Sequence, residues 1–289
     1  RSMTPRLFTN LAAPAKLNLF LHIVGRRSDG YHLLESVFVL IDLKDSVTVE
    51  RLENSQILRT GDTIGDPELD LCVKAARLLA RETDCRLGAR IHVTKHIPAG
   101  AGLGGGSSDA ATTLMALNRL WALNLPREKL LDLGACLGAD VPFFLFGQSA
   151  LAGGIGNILT PIHIPDAFAA VLMPPTPTST QAIYQAADLK RDTIPVSKEA
   201  VETDIKKNWP RLFGTNDMQP VAVRLNPQIG RALEALGPES RMTGSGSAVF
   251  ILKSNRESAN KALLQIPPAF TGYVAKILHY HPLYRESVG

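Results

Sequence analysis

The chain has 289 residues, 45% hydrophobic and 20% charged, a globular composition that excludes a disordered chain or a small disulfide-stapled one. Its net charge of +4, from 31 basic and 27 acidic residues, is dispersed rather than gathered into a block. With aromatics at 6%, this argues against nucleic-acid and membrane partners and for a small anionic ligand.

Three cysteines (Cys72, Cys85, Cys136) without a CxxC pair point to packing roles in a reducing, cytoplasmic setting. No apolar run approaches the roughly 18 residues of a membrane span, and residues 1–10 lack a secretory apolar stretch. Met3 reads as a natural start, with Arg1 and Ser2 as additions.

In chain order, residues 15–23 alternate. Ala15, Leu17, Leu19, Leu21 and Ile23 share one face; Lys16, Asn18, Phe20 and His22 share the other. The pattern predicts a strand whose second face looks onto something other than a plain core. Strands follow near 36–41 and 46–50, then a loop over 53–67, a helix over 71–80 and a strand over 90–94. A glycine-rich loop leads into a helix reaching Trp121, with Ser107 or Ser108 as its cap. A second helix over 127–137 stops at Gly138.

A strand at 168–173 runs into a proline-rich connection and a short helix capped by Ser179 or Thr180. Asn226-Pro227 opens another helix. Thr243-Gly-Ser-Gly-Ser247 precedes a strand at 248–252, and a helix at 257–265 and a strand at 271–278 complete the order. Strands and helices mix without a βαβ rhythm, which predicts an α+β fold. A boundary near 155–165 gives expected domains of 1–160 and 161–289.

Five of the seven residues 100–106 are glycine. Glycine in regular structure costs roughly 0.5–1 kcal/mol against alanine, so such a run needs a reason. A strand, a glycine loop and a helix N-terminus in succession form an anion site, with free amides and the positive helix end aimed at phosphate. No lysine follows the glycines, so the segment is not a P-loop. Gly100, Gly102 and Gly105 satisfy GxGxxG, but a second helix follows where a dinucleotide fold needs a strand. Kinase HRD and DFG segments are absent.

Pro98-Ala-Gly-Ala-Gly-Leu-Gly-Gly-Gly-Ser-Ser-Asp-Ala-Ala111 resembles the ATP-binding motif of the GHMP kinases. Further matches are Pro14-Ala-Lys-Leu-Asn-Leu19, Gly25-Arg-Arg-Ser-Asp-Gly-Tyr-His32, Gly138-Ala-Asp-Val-Pro-Phe-Phe144, Asn216-Asp217 and Thr243-Gly-Ser-Gly246. The glycine and Gly-Tyr-His segments are similar to the branch that phosphorylates the C2 hydroxyl of a cytidine-diphosphate-linked methylerythritol, in the non-mevalonate isoprenoid route. The resemblance implies two domains, an N-terminal one of ribosomal S5 domain-2-like fold and a ferredoxin-like C-terminal one. It also implies ATP as co-substrate, with Mg2+, and two small-molecule ligands meeting in a cleft.

By the same resemblance, Asp140 falls on the catalytic aspartate and Lys16 on its partner, with Asn18, Tyr31, His32, Thr180 and Tyr184 on the substrate. Tyr31 and Tyr184 are the implied cytosine sandwich. Lys95 and the loop Pro98, Ala99, Gly100, Ala101, Gly102, Leu103, Gly104, Gly105, Gly106, Ser107 and Ser108 fall on ATP. Asp70, Tyr184 and Asn157 depart from the residues usual in the family: asparagine, phenylalanine and glutamate. Two other readings stay open: another GHMP kinase, acting on homoserine or a mevalonate phosphate, and a catalytically silent nucleotide-binding regulator. His92 and His96 have a helical zinc spacing but fall on or beside a strand, so a shared metal is not expected. His279 and His281 read as surface residues. Oligomeric state and metal ligands are not legible.

Overall fold

The structure is a computed structural model and describes residues 3–285. Arg1 and Ser2, read above as additions, lie outside the described residues. Two long strands organise it, β1 (Leu7–Arg26) and β2 (His32–Leu52), paired antiparallel along nearly their whole length. Sequence periodicity splits β2 into two strands; the chain runs through as one. β2 then serves as a hub. Its C-terminal third pairs with β4 (Gly88–Thr94), its middle with β10 (Thr271–Leu278), and residues 36–38 with β5 (Ala150–Gly153).

The expected loop over 53–67 contains a parallel edge strand, β3 (Ile57–Gly61), against β4. β6 (Ile158–Pro161) extends β5. β10 pairs with β7 (Phe168–Met173), β7 with β9 (Val249–Lys253), and β9 with β8 (Arg241–Met242), so one ten-stranded sheet spans the described residues. The mixed α+β class is as expected.

One helical layer covers the N-terminal part of the sheet: α1 (Leu71–Thr83), α2 (Gly105–Leu120), α3 (Arg127–Leu137) and α4 (Val141–Phe146). Leu79, Leu114, Leu117, Phe143 and Phe144 bury there against Leu40, Val49 and Ile91. The other helices are α5 (Thr180–Gln185), α6 (Lys198–Asn208), α7 (Gln219–Leu225), α8 (Pro227–Leu236) and α9 (Arg256–Ala262). Of these, α7, α8 and α9 pack on β7 and β9 in a separate apolar cluster.

The alternation predicted for β1 holds only to Asn18. Between Asn18 and Leu21 the register slips by one residue relative to β2, a bulge. Leu19 and Phe20 therefore enter the same core, and Leu21 and Ile23 join the cluster on α7–α8. A one-residue slip exchanges the faces of a strand. Here it lets β1 present Lys16 and Asn18 to a cleft while its C-terminal end serves a different core.

Two smaller expectations fail. His281 is buried rather than exposed, its Nδ1 accepting from Leu283 N at 3.0 Å, and burial lowers its pKa to about 3. Cys136 is exposed, so only Cys72 is a fully buried packing residue.

Candidate active site

Three adjoining cavities run along one face. The first, about 470 Å3, is lined by the glycine loop, Lys95, Asp70 and Ser107. The second, about 260 Å3, holds Lys16, Asn18, Asp140, Gly244 and Ser245. The third, about 490 Å3, holds Arg26, Tyr31, His32 and Gln181. Gly102, Gly104, Thr180 and Ser245 line both the first and second, and Tyr184, Leu34 and Ile155 both the second and third. Every residue singled out above for phosphate, hydroxyl or base lines this cleft except Ser108, which is buried.

Around the first cavity, backbone makes the surface. Gly100, Gly102 and Gly104 take left-handed φ of 64°, 77° and 71°. A Cβ on Gly102 would stand 2.2 Å from Thr243 O, so the loop and the 243–246 turn interlock only through glycine. Ala248 N donates to Ala101 O at 3.0 Å and Lys16 N to Leu103 O at 2.9 Å, tying the loop to β9 and β1. α2 begins at Gly105 with Gly104 as its cap, one turn earlier than a serine cap would put it. Ser108 is therefore inside the helix, its Oγ donating to Pro14 O at 2.6 Å, and only Ser107 faces the cavity. The capping serines expected from sequence are absent because glycine, free to adopt φ > 0, starts the helix without a side-chain acceptor. That leaves the first-turn amides open to an anion.

Lys95 stands beside this loop between two carboxylates, Asp45 at 2.6 Å and Asp109 at 2.9 Å. Asp45 is fully buried, its Oδ1 accepting from His96 N at 2.7 Å and Ile97 N at 2.8 Å, so it also fixes the approach to the loop. Burial works against the Lys95 charge, but the two carboxylates overcome it and hold the ammonium above its ordinary value. Burial and the nearby Asp45 push Asp109 up to about 8. Asp70, the departure near the adenine position, caps α1 by accepting from Cys72 N at 2.9 Å and Val73 N at 3.2 Å, and pairs with Arg59 at 3.2 Å. An asparagine would keep the cap and lose the ion pair.

In the middle cavity, Lys16 is buried, with its ammonium hydrogen-bonded to Asn18 Oδ1. Burial lowers its pKa and the Asp140 charge raises it back in part. Alone on a strand, a lysine would be a solvated edge charge; here Gly104 of the loop and Gly244 of the 243–246 turn lie against the side chain. Asn18 Nδ2 donates to Ser36 Oγ at 2.9 Å, and Asn18 N to Thr243 Oγ1 at 3.0 Å. Asp140 sits at the N-terminus of α4, its side chain making no capping bond there. A buried, partly destabilised ammonium that shares a cavity with a carboxylate gains from any further negative charge brought between them.

At the third cavity, His32 and Tyr184 stack with centroids 4.4 Å apart at 26°. Burial and Asp140 raise Tyr184 to about 12, so it stays a phenol. Tyr31 is 60% exposed at the rim, with Arg27 over its ring at 5.5 Å. Thr180 Oγ1 and Ser245 Oγ are 2.6 Å apart, bridging α5 to the 243–246 turn.

Sequence reasoning missed Asp45, Asp109 and Ser245 as members of the site, and Arg191, which holds His32. Asp109 and Ser245 lie inside motifs that were recognised, which is the signal that could have found them. Asp45 and Arg191 lie in ordinary polar stretches with no local mark.

A family model described as GHMP kinases N terminal domain matches residues 70–148, and one described as GHMP kinases C terminal matches 198–270. The chain is 49% identical to 4-diphosphocytidyl-2-C-methyl-D-erythritol kinase of Ralstonia pickettii (strain 12J), over 99% of this chain and 100% of that one. It is also 49% identical to the kinase of the same name from Thiobacillus denitrificans (strain ATCC 25259 / T1), over 94% and 96%. A crystal structure of 4-(cytidine 5'-diphospho)-2C-methyl-D-erythritol kinase superposes with a TM-score of 0.80 at 32% identity, covering 92% of this chain and 98% of that one. Homoserine kinase from Cytophaga hutchinsonii, at 17% identity and a TM-score of 0.69 over 97% of each chain, shares the fold alone. The chain belongs to the GHMP kinase family.

Proposed function

We propose that the chain transfers the γ-phosphoryl group of ATP to the C2 hydroxyl of 4-diphosphocytidyl-2-C-methyl-D-erythritol, the compound in its relatives' names. The observation that carries the reading is the order of the three cavities. A backbone anion site, a Lys16–Asp140 cavity and an aromatic end follow one another, matching a phosphate donor, a reacting hydroxyl and a base.

In this reading the loop amides and Lys95 hold the donor's phosphates. The substrate hydroxyl oxygen attacks the γ-phosphorus, its proton passes to the Asp140 carboxylate, and ADP leaves with the electrons of the broken bond. Lys16 offsets the charge that builds on the transferring group, and Asn18 and Thr180 orient the hydroxyl-bearing chain. Tyr31 and Tyr184 flank the base, and His32 meets its edge. Mg2+ enters with ATP. Among the described residues no three His, Cys, Asp or Glu side chains gather into a group that could hold a metal ion. The Ser107 hydroxyl, in the first cavity, and the Asp140 carboxylate, in the second, are among the side chains that could hold it, and the ion would supply charge neutralisation at the phosphates. The domain division 1–160 and 161–289 is supported by one core built on α1–α4 and another on α7–α9, with β1 shared by both. No helix among the described residues is long and apolar enough to cross a membrane.

The test is ADP release from ATP and Mg2+ with the cytidyl compound, beside homoserine and a mevalonate phosphate. Turnover with the cytidyl compound alone is expected. Turnover with another alcohol keeps the kinase and discards the base site. ATP binding without turnover on any of the three would mean a regulator.

A further inference from the structure

Arg191 lies outside every recognised motif, in the stretch after α5, yet all three of its guanidinium nitrogens donate at the base end of the cleft. Nη2 donates to Tyr184 O at 2.7 Å and Ala186 O at 3.0 Å, and Nη1 to Leu189 O at 3.2 Å. Nε donates to His32 Nε2 at 3.0 Å. Arginine has no acceptor and does not lose its proton, so His32 Nε2 must be the bare, accepting nitrogen. The hydrogen bond made by one imidazole nitrogen sets the proton on the other. His32 Nδ1 makes no hydrogen bond among the described residues and is not a buried orphan, so it opens toward the cavity that His32 lines.

We propose that Arg191 is a positioning residue for base recognition: it fixes His32 as the Nδ1–H tautomer and thereby selects a pyrimidine whose N3 is an acceptor, cytosine, over one whose N3 carries a proton, uracil. The inference rests on the substrate reading above and goes beyond it by giving Arg191 a part in base selection. The surroundings of the ring agree. Arg191 and Arg26 are the cations that face it and Tyr184 stacks on it; burial first, then the two cations, hold His32 below its ordinary pKa. A neutral ring with a defined tautomer is a one-way donor. A ring free to exchange tautomers would accept from a uracil N3–H as readily as donate to cytosine.

The experiment pairs a ligand-free spectroscopic readout with kinetics. Long-range 15N–1H correlation of His32 in the whole protein is expected to show Nδ1–H in the wild type and an Nε2–H population in R191M. The cytidyl-over-uridyl ratio of kcat/KM is expected to fall about tenfold in R191M, more through KM than kcat, because an unpaired donor in a built polar site is what rejects the wrong base. R191K, which still donates, restores part of both. A purely structural role for Arg191 would not move the tautomer. His32 found as Nε2–H in a wild type that turns over the cytidyl compound overturns the role of Arg191 alone. So does an unchanged ratio in both variants. A wild type that phosphorylates a different alcohol overturns the substrate reading and the base-selection inference with it. Should R191M fail to fold, the wild-type spectrum and R191K decide the matter.

Discussion

The two ends of the cleft are made of different material. At the phosphate end the contacts come from the main chain: three glycines with positive φ, an uncapped helix start, and a turn at 243–246 packed so closely that no Cβ fits between. At the base end they come from side chains: a stacked His32–Tyr184 pair, a rim tyrosine and an arginine holding the histidine. Backbone amides read charge and are indifferent to what carries it. Side chains with defined donors and acceptors read identity. One end therefore suits a group common to all nucleoside triphosphates, and the other a group that distinguishes one alcohol from another.

Substitutions can break this contrast or sharpen it. The largest effect is expected where the two ends meet. D140N should lower kcat by about 10²–10⁴-fold with the melting temperature nearly unchanged; near-normal turnover in a steady-state assay would remove Asp140 as the proton acceptor. Next, G102A should damage folding and ATP binding together. The left-handed backbone and the 2.2 Å approach to Thr243 O imply a loss of about 1–3 kcal/mol. Thermal unfolding would report the instability, and a raised KM for ATP with little change for the cytidyl compound would report the site. Y31A should spare the fold altogether. Because Tyr31 is a rim residue, the lower end of base stacking applies, about 1 kcal/mol or roughly fivefold in KM for the cytidyl substrate. An unchanged KM would dissolve the sandwich.

The smallest effect is one of pH. Asp109 has its folded-state value raised to about 8, well above that of an unfolded aspartate. Its protonated form thus contributes stability that is present below the ordinary carboxylate range and is lost as pH rises through about 8. The melting-temperature difference between D109N and the wild type should shift in favour of the variant across that window, by about a few degrees. A difference constant with pH would show that Asp109 does not hold the proton.

The same contrast explains what could be read from the chain beforehand. The glycine loop was legible because a backbone site has a local signature: a run of residues with no use but conformational freedom. Helix α3 and strand β10 were legible for a similar reason, periodicity bounded by a stop. Long-range constructions were not. β2 reads as two strands because its middle passes from one partner to another, a change that only the fold reveals. The bulge after Asn18 leaves no mark on an apolar run, and it decides where Phe20 points. Asp45 and Arg191 are ordinary polar residues until partners 50 and 159 positions away arrive.

The β1–β2 hairpin carries Lys16 and Asn18 partway along its length, while Arg26 and His32 face each other as the last pair before its tip. It therefore behaves as a ruler, with the proposed reacting end and the proposed reading end marked on one hairpin. A strand advances about 3.3 Å per residue, so two residues added to each arm would keep every face as it is and carry the tip some 7 Å outward. The tip would carry His32 away from Tyr184 and Arg191, which lie off the hairpin and do not travel with it. The length of the hairpin is thus matched to those outside partners, and the span between base and alcohol is set before any atom of either is recognised.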